Sequence, residues 1–188
     1  MDDLQAINRA TDEFEARLAV VTGEQLPLTS TCEGWSVGQL LQHVAGGSKM
    51  AVELVGGASR EDAALFINGP IGEDPVSECR KALQEQRRVF TSPIDRDQVV
   101  HHPMGDIPVS QLYEFRIMDL LIHAWDLARS LGLDEGLPDE LVEYVHTSLK
   151  PVEPFIADIG VFGPGPSGNL GGDESLQAVL LDLVGRRP

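Results

Sequence analysis

Residues 110–131, SQLYEFRIMDLLIHAWDLARSL, are apolar over most of a helix's circumference, through Leu112, Phe115, Ile117, Leu120, Leu121, Ile122, Trp125 and Leu127. A helix with so wide an apolar surface has to be surrounded by protein. Gly132 follows as its stop. The rest of the chain must therefore supply amphipathic elements that wrap it, and this requirement points to a helical bundle.

Several segments have the right pattern. Leu4, Ile7, Phe14, Leu18 and Val21 recur at helical steps before Gly23. Ser36 with Gln39 forms a capping box for a second helix, Trp35 with Leu40 a hydrophobic staple, and Val37, Leu40, Val44, Ala51 and Leu54 an apolar stripe running to Gly56–Gly57. After a loop holding Asn68, Gly69, Pro70 and Gly72, Asp74 caps a third helix whose first residue is Pro75 and whose buried side carries Val76, Cys79, Leu83 and Phe90. Val99-Val100, a turn at Gly105-Asp106, and Ile107 with Val109 predict a short hairpin or extended segment. A fifth helix is expected over Pro138–Lys150, and a last one from an Asp173 cap to Val184, stopped by Gly185. The expected fold class is all-α: an up-and-down four-helix bundle with a short hairpin and additional C-terminal helices. It forms a single domain over 1–188, with its bundle core over about 1–150 and a C-terminal extension over about 151–188.

Thirty acidic against fourteen basic residues leave a formal charge of −16, a sign that repels phosphate backbones and anionic lipid and argues against nucleic-acid or membrane partners. Two cysteines are too few for a secreted disulfide framework, and MDDLQAINRA lacks the layout of a signal peptide, so a reduced, cytoplasmic protein is expected. The sequence holds no apolar run of the ~18–20 residues that a membrane span needs.

Arg116, Asp119, His123 and Asp126 fall at helical spacing on one stripe of the 110–131 helix. Either that stripe is the sliver facing water, or it points into the bundle and is paired or metal-bound, because an unpaired buried carboxylate is very costly. Asp119 and His123, one turn apart, can reach one ion, although such a pair is also common on exposed helix faces. His43 borders the apolar stripe of the second helix, where it serves either as a third ligand or as a boundary histidine bonded to a backbone carbonyl. Two imidazoles and a carboxylate match a catalytic zinc site with an open position, or the facial triad of non-haem iron.

TSTCEGWSVGQLLQHVAGG (Thr29–Gly47) and RIMDLLIHAWDLARSLG (Arg116–Gly132) resemble the two signatures of the metal-binding domain of mycothiol-dependent maleylpyruvate isomerases, in the DinB/YfiT-like superfamily. VFGPGPSG, followed by a Leu-rich helix ending in GRRP, resembles the tail of its short single-domain members. The resemblance implies a DinB/YfiT-like four-helix bundle holding a divalent ion, zinc with Ni2+ or Fe2+ as alternatives, on His43, Asp119 and His123. At the acidic position the isomerase has glutamate, so Asp119 sets the ion nearer the helix backbone or changes its coordination mode. The isomerase also carries a C-terminal domain for which 188 residues leave no room.

The function that follows is a metal-dependent thiol S-transferase or isomerase. Mycothiol or another low-molecular-weight thiol and a small electrophilic substrate are its partners, and no catalytic group is assigned beyond the metal site. Two alternatives use the same ligands: a non-catalytic metal-binding stress or interaction protein, working as a homodimer, and a metal-dependent hydrolase. Asp126 is the candidate to orient a ligand imidazole, or else to pair with Arg129 or Arg116. Arg116 and Arg129 are candidates to hold an anionic substrate or thiol, and Trp35 and Trp125 either wall a pocket or pack as core aromatics. Cys32 reads as a packed cysteine or a thiol beside the metal, His101-His102 as an exposed pair in the hairpin, and His146 carries no role.

Overall fold

Side-chain caps start three of the four longest helices among the described residues. In the computed structural model, which describes every residue except 68, 71 and 160–163, α1 spans Asp3–Leu18, with Asp2 and Gln5 closing a capping box. In α2, Val37–Val55, Ser36 Oγ accepts the Gln39 N–H while the Gln39 side chain accepts the Ser36 N–H. That reciprocal pair satisfies two donors that a helix start otherwise leaves bare. A short α3 covers Arg60–Ile67, between the end of the expected second helix and the expected loop at 68–72. The predicted loop residue Asn68 lies outside the described residues. Asp74 caps α4, Pro75–Phe90, through the Ser77 N–H. The antiparallel strands β1, Val99–His102, and β2, Gly105–Pro108, precede α5, Val109–Leu131, which ends at Gly132 in the left-handed conformation, φ +66.

One predicted detail is displaced. His102 pairs with Gly105, so the hairpin turns at Pro103–Met104, and Gly105, with φ +140, opens the second strand. A conformation that side chains rarely adopt is therefore used one residue after the turn.

Packing follows the apolar stripes. α1 lies against α5, and α2 against α3, α4 and α5. Phe14, Leu18, Leu40, Leu41, Leu54, Leu83, Leu112, Ile117 and Trp125 are buried between them. This four-helix core, α1, α2, α4 and α5, forms a compact unit over Asp2–Glu135.

A second unit includes Gly136–Pro188. In it α6, Asp139–Leu149, packs with α8, Leu176–Leu183, while α7 is a single turn, Ile156–Ile159. Ser175, not Asp173, caps α8 by accepting the Ala178 N–H. Asp182 is buried there, accepting the Ser167 N–H and an Arg187 N–H. The tail motif begins at Val161–Gly163, outside the described residues. Among the described residues no helix is long and apolar enough to cross a membrane.

Candidate metal centre

The polar stripe of α5 turns inward. Arg116, His123 and Asp126 are buried, and Asp119 keeps 21% of its side-chain surface. Across from them, α2 delivers His43. His43 Nε2 lies 3.0 Å and His123 Nε2 3.5 Å from the same oxygen, Asp119 Oδ1. Ligand atoms of the three residues all fall within 4.8 Å of one another. The two imidazoles meet edge to face, with ring centroids 4.8 Å apart. Trp35 stands over both, its ring 4.9 Å from that of His43 and 6.2 Å from that of His123.

Arg116 explains how a carboxylate survives in this setting. Its Nη1 donates to Asp119 Oδ2 at 2.9 Å, its Nε to Gln86 Oε1 at 2.9 Å, and its Nη2 to Ser48 Oγ at 3.1 Å. The guanidinium passes so close to α2 that any side chain at Gly47 would collide with it. Burial pushes the Asp119 pKa up, but Arg116, then His43 and His123, outweigh it and hold the carboxyl well below its usual range. For His123 burial favours the neutral ring, yet the Asp119 charge and the hydrogen bonds to Asp119, Asp126 and Cys32 raise its pKa well above the ordinary histidine value.

The opposite edge of the His123 ring is committed. His123 Nδ1–H donates to Asp126 Oδ2 at 2.9 Å. Asp126 Oδ1 accepts the Thr31 hydroxyl at 2.7 Å, and Oδ2 also accepts the Cys32 thiol at 3.3 Å. With its proton at Nδ1, the neutral ring presents a lone pair at Nε2 toward Asp119 Oδ1, another acceptor. Two facing acceptors need a cation between them, either a proton or a metal ion. The donor set, two imidazole nitrogens and a monodentate carboxylate oxygen, fits a divalent ion of the zinc type.

His43, Asp119, His123, Asp126, Arg116 and Trp35 thus meet in one place. Asp126 is hydrogen-bonded to the His123 imidazole. The N–H groups of Arg116 are turned to protein acceptors: Gln86, Asp119, the Val44 carbonyl and Ser48. Arg129 does not join the group: it is bonded to Glu135 at 2.9 Å and lies over the Trp125 ring. Trp125 is core, with 1% exposure. His101 is exposed, but His102 is buried against Phe115, contrary to expectation, because the hairpin register turns alternate residues inward. Sequence reasoning missed Thr31 and underrated Cys32. Their side chains look like ordinary turn residues, and the contacts they make lie 94 and 95 residues away in the chain.

Residues 7–128 match the family described as Mycothiol maleylpyruvate isomerase N-terminal domain. The chain belongs to this family. It is 34% identical over 142 residues to the uncharacterized protein Rv0738 of Mycobacterium tuberculosis (strain ATCC 25618 / H37Rv), a match covering 75% of this chain and 74% of the relative. The same figures hold for the uncharacterized protein MT0763 of strain CDC 1551 / Oshkosh. Among solved structures, the mycothiol-dependent maleylpyruvate isomerase aligns with a TM-score of 0.59 at 19% identity, over 75% of this chain and 65% of that one. A histidine-to-alanine mutant of that isomerase aligns with a TM-score of 0.65 at 19% identity, over 90% and 72%. At this identity the likeness is one of fold, the DinB-like bundle. The chain thus spans slightly less than two thirds of the first of these isomerase chains.

Proposed function

We propose that the chain is a metal-dependent enzyme of the thiol S-transferase or isomerase type, which uses mycothiol or a similar small thiol on an electrophilic substrate. The observation that carries this reading is the convergence of His43 Nε2, His123 Nε2 and Asp119 Oδ1, in a member of a family named for the mycothiol isomerase. These three residues would hold one divalent ion, zinc by its fit to the donor set. When bound, such an ion supplies Lewis acidity and favours the thiolate of a coordinated thiol at neutral pH.

The chain's own residues determine how that chemistry is presented. Arg116 keeps Asp119 ionised and grips its far oxygen, which leaves Oδ1 to face the two imidazoles. Asp126 holds a proton at His123 Nδ1 and so keeps Nε2 available. Trp35 covers the two rings on one side. One experiment tests the proposal. The purified protein, loaded with zinc, is given mycothiol together with either maleylpyruvate or a fluorogenic electrophile. Turnover that requires both zinc and thiol and disappears in His123→Ala is expected. Failure of the zinc-loaded protein to isomerise the one or conjugate the other would overturn the proposal.

A further inference from the structure

We infer that Thr31 and Cys32, in the turn leading into α2, are positioning residues for the metal site: they seat the Asp126 carboxylate and thereby fix the tautomer and tilt of His123. The inference rests on the metal reading above and deepens it.

Asp126 is fully buried toward the C-terminal end of α5. The backbone N–H groups around it are engaged within the helix, so donors for its carboxylate must come from side chains or from other elements. The 31–32 turn supplies a hydroxyl to Oδ1 at 2.7 Å and a thiol to Oδ2 at 3.3 Å, beside the His123 Nδ1–H on Oδ2 at 2.9 Å. Donors on both oxygens stop the carboxylate from rotating, and a fixed carboxylate specifies which ring nitrogen keeps the proton.

The turn is itself tied to the same stretch of α5. The Thr31 N–H donates to Ser130 Oγ at 3.1 Å, and Ser130 Oγ donates to the Asp126 carbonyl at 2.6 Å. It is closed internally by Ser30 N–H to the Trp35 carbonyl and Trp35 N–H to the Cys32 carbonyl, with Gly34 at φ +78. One rigid turn therefore holds Asp126 with its start and lays Trp35 over His43 with its end. Cys32 stands at the Nδ1 edge of the imidazole. Its Sγ is 3.8 Å from Nδ1, the edge opposite the Nε2 that faces Asp119.

The test compares Thr31→Val, Cys32→Ala and the double variant with the donor-keeping Thr31→Ser and Cys32→Ser. Zinc affinity is measured by competition with a chromophoric chelator. The His123 tautomer is read from ring 15N shifts in metal-free protein, at a pH where the ring is neutral. Each donor-deleting change should weaken zinc binding about tenfold or more, the double variant more still, and should let the Nε2–H tautomer appear. The serine variants should stay within about threefold of the parent, because an O–H or S–H donor remains. A folded double variant with unchanged affinity and an unchanged Nδ1–H tautomer would overturn the inference. So would a thiolate-to-metal band in the cobalt-loaded parent that vanishes in Cys32→Ala, because Cys32 would then be a ligand. A parent that binds no ion would sink the metal reading instead, while the tautomer measurement would still decide the role of the turn.

Discussion

Two places in the molecule bring a histidine, an aspartate and an arginine together at nearly the same distances. On the hairpin, His101 Nδ1 and Arg60 Nη2 sit 3.0 and 2.8 Å from Asp106 Oδ1. In the bundle, His43 Nε2 sits 3.0 Å from Asp119 Oδ1 and Arg116 Nη1 2.9 Å from Asp119 Oδ2. Exposure separates them. The hairpin side chains keep 45–56% of their surface, while Asp119 keeps 21% and Arg116 5%. Water can replace any partner in the hairpin group at little cost, so its geometry is a surface ion pair of small worth. In the bundle each group depends on the next, and a second imidazole faces the same oxygen. Contact distance does not distinguish the two groups; burial does.

The largest effect that would break this contrast concerns metal loading. Asp119→Asn should lower zinc affinity by orders of magnitude and Asp106→Asn leave it unchanged, as read by equilibrium competition. Next comes stability. Arg116→Met leaves a buried carboxylate without its cation and should cost about 3 kcal/mol in a denaturant titration, whereas Arg60→Met should shift the midpoint immeasurably.

A third difference lies in pH. The raised pKa of His123 means that, in the metal-free protein, its stabilising pairing with Asp119 is complete below the ordinary histidine pKa of ~6.5 and is lost as pH rises through the raised value. The metal-free melting temperature should therefore fall on the alkaline side. An ion has to displace that proton, so apparent zinc affinity should weaken by up to about tenfold per pH unit on acidification. Calorimetric melts and zinc titrations over a pH series check both.

The smallest effect belongs to His102. Burial, then Arg116 and Arg60, push its pKa down, so its contribution is complete above ~6.5 and fades as pH falls below that value. His102→Phe should flatten this part of the acid limb of an unfolding curve.

What could be read from the sequence was local. The Ser36–Gln39 box, the Asp74 cap, the Gly132 stop and the one-turn spacing of Asp119 and His123 each depend on residues within a turn of each other, and each appears where it was expected. α3 was not legible because it is short and its close approach to α2 depends on Gly46, where any side chain would strike the Phe66 carbonyl. α6 was counted with the bundle core, yet it packs with α8 in the second unit. Its apolar stripe gives its period but does not name its partner. The Thr31–Asp126 and Cys32–Asp126 bonds were beyond reach for the same reason: a turn residue shows a donor but not the distant acceptor.

Metal content measured after dialysis against trace zinc, for the parent, His43→Ala and His123→Ala side by side, tests the central claim most directly. One ion per chain in the parent and near-complete loss in both variants is expected. Equal occupancy in all three proteins would contradict it.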